Sequence, residues 1–363
     1  MKGKIAVGPG DGIGPEIVAE GVKVLEAVSE KYGHEFVLTY VDIGGVAIDK
    51  YGEPFPAETA KLCRESDAIL LGAAGGPKWE YPKVKVDANT GLLALRKEFG
   101  LFANLRPVKV FPGMVNCSPF KRDAVRGVDL IVLRENTGGL YFGQPKKRWR
   151  TDEGRMAVDS MVYSEKEIER LLRVGFELAQ SRRKKLCSVD KANVLQTGQL
   201  WREIANELAP EYPDVELTHA YVDACAMWLL RQPRDFDVIA MGNIFGDIIS
   251  DEASVLAGSL GMLPSAQLTG SGLVGTTFGF YESSHGSAPK HTGKNDVNPI
   301  ATILSVAMML RYTYGLKEET KCIEQAVEQA LQNYRTYDVM EAGKTKVGTR
   351  EMGDLIAGAI VTK

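Results

Sequence analysis

Short apolar runs alternate with longer amphipathic stretches along most of the chain, which is the pattern of an α/β protein. Residues 4–7 read as a buried first strand, and 36–41 and 68–72 as two more. Residues 15–29 set Ile17, Val18, Val22, Leu25 and Val28 at helical spacing, predicting a helix directly after the first strand. Further runs at 130–133, 185–189, 215–221 and 238–241 predict a second sheet, and periodic segments at 165–180, 201–209 and 299–314 predict long helices. Glycine-rich turns separate these units, with no internal repeat, low-complexity tract or linker between them.

At roughly 150 residues per domain, 363 residues suggest two domains, and a 44% hydrophobic content supplies a sizeable core. Lys plus Arg (44) nearly balances Asp plus Glu (47), for a net charge of -3. That balance argues against a nucleic-acid partner or a membrane-surface role, either of which calls for a basic excess. A local basic run, Lys146-Lys147-Arg148-Trp149-Arg150, lies beside Asp152 and Glu153 and reads as a solvated loop. No stretch approaches the ~20 apolar residues of a membrane span, and the opening residues do not read as a signal peptide. Cys63, Cys117, Cys187, Cys225 and Cys322 are odd in number and widely spread, as free thiols of a cytoplasmic protein would be. His34, His219, His285 and His291 show no metal-pair spacing, which leaves oxygen ligands for any metal.

The glycine cluster Gly8-Pro9-Gly10-Asp11-Gly12-Ile13-Gly14 follows a strand and opens a helix. Its glycines fit no G-x-G-x-x-G register, and no phosphate-binding G-x-x-x-x-G-K-[ST] occurs, so this is no Rossmann fingerprint and reads as a tight turn. Asp247 and Asp251, four residues apart, share a face near the N-terminus of a predicted helix. There they either complement the helix dipole or hold Mg²⁺ or Mn²⁺ through oxygen. Arg96, Arg106 and Arg134 adjoin glycines or end apolar runs, where guanidinium groups suit bidentate capture of carboxylates. Lys191 ends a strand, where it is either a surface lysine or a general base.

In combination these segments are more specific. Residues 10–16, 96–107, Arg134-Glu135-Asn136-Thr137-Gly138-Gly139-Leu140-Tyr141-Phe142-Gly143, 190–195, Asp223, 243–251 and His285-Gly286-Ser287-Ala288-Pro289 occur in a telling order. The chain resembles the β-decarboxylating dehydrogenases, whose members act on 3-isopropylmalate, isocitrate, homoisocitrate, tartrate or D-malate. The resemblance runs from Lys4 to Ile360, and Gly75-Gly76-Pro77-Lys78-Trp79, Leu92-Leu93 and Thr137-Gly138-Gly139 are most similar to the isopropylmalate branch. It implies a two-domain α/β fold with a central cleft, residues 1–101 and 258–363 forming the cofactor-side domain. Residues 102–257 would form an inserted domain with the contacts of a homodimer whose active sites are shared.

The resemblance also implies roles. Arg96, Arg106 and Arg134 would bind the substrate carboxylates, and Asp247 and Asp251, with Asp223 of the partner subunit, would hold Mg²⁺ or Mn²⁺. Lys191, also from the partner, would take the C2 hydroxyl proton, and Tyr141 would protonate C3 after loss of CO₂. Leu92, Leu93 and the partner's Val194 would face the C3 substituent. An apolar wall suits isopropyl and would leave the third carboxylate of isocitrate unpaired. Bulkier 3-alkylmalates, D-malate, tartrate and homoisocitrate stay open as alternatives. An intact Tyr141, Lys191, Asp223, Asp247 and Asp251 sets the chain apart from catalytically silent regulatory homologues.

Gly76, Asn89, His285, Gly286, Ser287, Ala288, Lys290, His291, Asn298 and Tyr337 would line the NAD or NADP site. Two positions there depart from the isopropylmalate pattern. Asn89 replaces a glutamate near the nicotinamide ribose, and Lys290-His291 replaces an aspartate and a small apolar residue. Lys290 cannot accept hydrogen bonds from ribose hydroxyls but could pair with a 2′-phosphate. Tyr337 matches a phosphate-binding tyrosine of the NADP-dependent isocitrate branch, whereas Glu341 stands in place of that branch's arginine. The expectation is that NADP is a competent cofactor.

Overall fold

The computed structural model describes residues 1–80, 86–270 and 277–362. Strand β1 (Lys2–Gly10) leads through the glycine turn into α1 (Gly14–Tyr32), whose apolar face buries Ile17, Val18, Leu25 and Val28. The helix ends where Gly33 takes a left-handed conformation. Next come β2 (Glu35–Tyr40), α2 (Gly45–Tyr51), α3 (Ala57–Arg64), β3 (Ala68–Ala73) and α4 (Asn89–Phe99). The middle of the chain forms β4 (Ala103–Lys109), the short α5 (Arg122–Val125) and β5 (Asp129–Glu135), then β6 (Lys147–Thr151) and β7 (Gly154–Val158). It continues with α6 (Glu165–Gln180), β8 (Lys185–Asp190), α7 (Gln196–Leu208), β9 (Glu216–Tyr221) and α8 (Val222–Arg231). Strand β10 (Val238–Met241) precedes α9 (Asn243–Ser254), β11 (Pro264–Leu268) and β12 (Gly279–Ser283). The chain closes with α10 (Ile300–Tyr312), α11 (Lys317–Ala330), the short pair β13 (Tyr334–Arg335) and β14 (Thr345–Lys346), and α12 (Thr349–Val361).

The predicted first and second sheets are one. Ten strands run in the order β2-β1-β3-β12-β11-β4-β5-β10-β8-β9. Flanking strands pair in parallel and read as continuous apolar runs, such as Ala68–Ala73 and Val238–Met241, every residue of which is buried. Strand β11 pairs antiparallel with both β12 and β4, and β4 antiparallel with β5. These central strands carry Asn104, Arg106, Ser265, Gln267 and Glu282, and β4 and β11 each contain a proline. Their polar residues hide the join from an apolar-run reading.

Two local expectations also change. The basic run 146–150 lies largely in β6, which pairs antiparallel with β7 from Lys147↔Val158 to Thr151↔Gly154. It is solvated as expected, but as a hairpin, because five consecutive residue pairs satisfy each other's backbone. On α9, Asp247 and Asp251 stand in the second and third turns, not the first, so dipole complementation does not account for them. The helices predicted at 165–180 and 299–314 are present, the first opened by a capping box between Ser164 and Glu167. Helix α10 is buried along nearly its whole length between the sheet and α1 and α11.

Candidate active site

Three arginines converge at the antiparallel join. Arg96 comes from the last turn of α4, Arg106 from β4 and Arg134 from β5, and all are at most 9% exposed. Each is held by neutral groups as well as by carboxylates. Arg96 Nε donates to Gln267 Oε1 at 2.9 Å, and its Nη2 lies 3.6 Å from Glu282. Arg106 donates from Nε to Asn104 Oδ1 at 2.9 Å and from Nη1 to Ser250 Oγ at 2.6 Å. Arg134 donates to Asn243 and to Asp247. Burial lowers the pKa of Arg96 and Arg134, and repulsion from Arg106 adds to it, so an anion placed among them would stabilise their charged forms.

Asp247 faces this cluster. Its Oδ2 accepts the Tyr141 hydroxyl at 2.6 Å, while Oδ1 meets Arg134 and lies 3.6 Å from Arg106. Burial works against its charge, but Arg134, the Tyr141 hydroxyl, Arg106 and Arg96 together hold its carboxyl below the ordinary value. Asp251, one turn on, lies 3.5 Å from Arg106, and burial raises its pKa. The Tyr141 hydroxyl is pushed up to about 12 by burial and by the hydrogen bond to Asp247, and it keeps its proton at neutral pH. Glu282, at the back of the cluster, is raised by burial against the pull of Arg96.

Lys191 and Asp223 sit elsewhere. They bond each other at 2.5 Å, with the Asp223 side chain 68% exposed, and neither bonds the residues around Asp247. Among the described residues, no group of three His, Cys, Asp or Glu side chains is close enough to hold a metal. Val194, beyond β8, is 67% exposed. Leu92 and Leu93 are half-buried on α4, one turn before Arg96, and Leu92 packs in part against the apolar cluster of Leu95 and Phe280.

The remaining predicted residues gather around the glycine turn. Gly12 has φ 58°, and a side chain there would strike the Ser287 carbonyl, which accepts the Ile13 N–H at 2.9 Å. The turn is structural, as expected, and fixes the 285–289 loop. A cavity of ≈ 310 Å³ opens beside it, lined by Ile13, Leu260, His285, Gly286, Asn298 and Tyr337 among others. Burial lowers the pKa of His285, keeping the imidazole neutral near pH 7. His291 stacks on Tyr337, with centroids 5.0 Å apart, and its Nδ1 lies 3.0 Å from Asp296. Lys290 has no polar partner among the described residues, and Glu341 is occupied by Arg335 and Asn116. Asn89 folds back on Asp87 at the start of α4, and Gly75 and Gly76 have φ 95° and 150°.

Four residues escaped the sequence reading: Gln267, Asn104, Asn243 and Asp11. Gln267 Oε1 also accepts Asn136 Nδ2 at 2.6 Å, and Asp11 accepts the N–H groups of Gly45, Val46 and Gly75 at 2.6–2.8 Å. A carboxamide within a strand, as at Asn104 or Gln267, is a sequence feature that could have flagged those two, whereas Asn243 and Asp11 carry no such signal.

A family model described as isocitrate/isopropylmalate dehydrogenase matches residues 4–356. A 3-isopropylmalate dehydrogenase of Dehalococcoides mccartyi is 58% identical over 99% of this chain and 100% of its own length. Another, of Aquifex aeolicus, is 53% identical over 98% and 96%. Among solved structures, isocitrate dehydrogenase from Methylococcus capsulatus superposes with a TM-score of 0.86 at 35% identity, covering 99% of both chains. A β-decarboxylating dehydrogenase of Thermococcus kodakarensis gives 0.77 at 33%, over 98% of this chain and 96% of its own. Matching from end to end in sequence and in fold, the chain belongs to the isocitrate/isopropylmalate dehydrogenase family of oxidoreductases.

Proposed function

We propose that the protein oxidises the C2 hydroxyl of 3-isopropylmalate and releases its C3 carboxylate as CO₂, giving 4-methyl-2-oxopentanoate in leucine biosynthesis. The observation that carries this reading is the buried trio Arg96, Arg106 and Arg134 beside Asp247, with Leu92 and Leu93 one turn from Arg96. Three cations suit a dicarboxylate, and the leucines suit a branched apolar substituent rather than a third carboxylate.

Asp247 and Asp251 offer carboxylate oxygens without histidine or thiolate, a donor set that fits Mg²⁺ or Mn²⁺. Asp223 of the partner subunit completes that set in this reading. Bound there, a divalent cation would supply charge stabilisation for the developing oxyanion, and a nicotinamide dinucleotide would supply the hydride acceptor. The residues of this chain do the rest. The arginines orient both carboxylates, Lys191 of the partner subunit removes the hydroxyl proton, and Tyr141 delivers the proton that its raised pKa retains to C3.

The shared site needs a homodimer. Trp228 on α8 and Ile248 and Val255 at and beyond α9 are exposed apolar residues on adjacent helices, as a dimer face would be. The domain reading follows the sheet. Segments 1–101 and 258–363 contribute β1, β2, β3, β11 and β12, segment 102–257 contributes β4, β5, β8, β9 and β10, and they meet at the β11–β4 pair. Lys290, without a polar partner among the described residues, supports NADP as a competent cofactor alongside NAD, and five free thiols suit the cytoplasm.

A substrate panel tests the reading. With Mg²⁺ or Mn²⁺ and each dinucleotide, 3-isopropylmalate should exceed isocitrate and D-malate in kcat/KM. A tenfold preference for isocitrate (about 1.4 kcal/mol) would overturn it.

A further inference from the structure

Asn243 has no role in the chemistry above, yet it is 1% exposed and uses both ends of its side chain. Its Oδ1 accepts from Arg134 twice, from Nε at 3.1 Å and from Nη2 at 2.7 Å. Its Nδ2 donates to the Gly138 carbonyl at 3.0 Å, in the turn that runs directly into Gly139–Tyr141. Its backbone N–H donates to the Tyr163 hydroxyl at 2.7 Å, which anchors the first turn of α9. The helix lies against the arginine itself, since a side chain at Gly246 would meet Arg134 Cβ and Cγ at 2.6 Å.

The other acceptor on Arg134 is Asp247, one turn further along the same helix face. A carboxylate that must also serve a cation cannot be the fixed support of that guanidinium. A carboxamide can. It accepts the same hydrogen bonds without neutralising the positive charge, which stays available for a substrate carboxylate. The opposite end of the same amide sets the turn that carries Tyr141.

We propose that Asn243 is a positioning residue that holds Arg134 through a neutral acceptor, keeping its charge for the substrate and its place in register with Tyr141. This rests on the reading above that Arg134 meets a substrate carboxylate. The test compares Asn243→Ala and Asn243→Asp with the wild type, by steady-state kinetics with 3-isopropylmalate, isocitrate and D-malate and by calorimetric binding of 3-isopropylmalate and D-malate. Asn243→Ala should raise the KM for the hydroxy acid about tenfold or more and leave the dinucleotide KM within about twofold. Asn243→Asp has the same shape but brings a charge, so it should raise the hydroxy-acid KM at least as much. Since Asn243→Asp also loses the donation to the Gly138 carbonyl, a purely structural asparagine would disturb both Michaelis constants alike, and near-normal hydroxy-acid KM in Asn243→Asp overturns the proposal. So does a parallel rise of both Michaelis constants. Should the alanine variant fail to fold, the aspartate variant decides alone. If the wild type prefers isocitrate or D-malate, the 3-isopropylmalate reading fails while the KM split is read on the preferred acid. If it turns over none, the calorimetric dissociation constants carry the same comparison.

Discussion

Around Arg96, Arg106 and Arg134, every guanidinium is fixed by neighbours that are themselves buried: Gln267, Asn104, Ser250 and Asn243. Around Lys290 the opposite holds, with no polar partner among the described residues and, next to it, a histidine stacked on a tyrosine that is 42% exposed. Both regions bind anionic ligands in our reading, but only the first is part of the framework. A buried polar network cannot lose one member without stranding the others, whereas an exposed side chain can change with little effect on the fold. In that reading substrate handling is fixed by packing, and dinucleotide preference by a few replaceable surface groups.

The buried region should be most sensitive at its carboxylates. Chelation of divalent cations should abolish turnover, and Asp247→Asn should weaken metal binding, measured by titration of activity against Mg²⁺, with the far-UV spectrum unchanged. Full activity in chelator would remove the cation from the mechanism. Next come the proton-transfer groups, where losses on the order of 10²-fold or more are expected. Lys191→Met should stop hydride transfer itself, seen as no reduced nicotinamide in a single turnover. Tyr141→Phe should still reduce the dinucleotide, and the oxidised, undecarboxylated acid should accumulate.

On the loose side, Lys290→Asp should move the ratio of kcat/KM values toward NAD by about tenfold, the worth of a charge-assisted contact. Its melting temperature should stay within ~2 °C. An enzyme that strongly prefers NAD and ignores the substitution would make Lys290 a bystander. The smallest effect sharpens the buried side. Burial raises Glu282 above its ordinary 4.5, so the folded state favours the protonated form. Stability linked to that group is present below its ordinary value and is lost as pH rises through the raised one. Glu282→Gln escapes this loss, so its melting temperature relative to wild type should climb by a few degrees between about pH 4 and pH 8. A constant difference would place the Glu282 titration outside folding.

The parallel strands were legible because strands buried on both faces must be apolar throughout, as β3 and β10 are. The join was not. In β4 and β11, alternate residues such as Asn104, Arg106, Ser265 and Gln267 are inward-facing yet polar, so a hydrophobicity reading ends one sheet and begins another. Arg96, Arg106, Arg134 and Asp247, which the fold brings together, were legible through motif order, since arginine and aspartate announce their chemistry. The amides that hold them were not, because an asparagine at the start of a helix looks the same whether it caps, turns or, like Asn243, grips an arginine.

The antiparallel join also orders events in time. Arg96 and Gln267 are 171 residues apart in sequence, and Asn104 and Ser265 are 161 apart. The β1–β2, β4–β5 and β8–β9 pairs close through far shorter loops and so can form early, while bringing β11 to β4 requires the chain to return across its whole middle segment. The arginine cluster exists only after that closure. A refolding chain therefore regains helical content and much of its core before it regains a site, and catalytic competence is the last property to return.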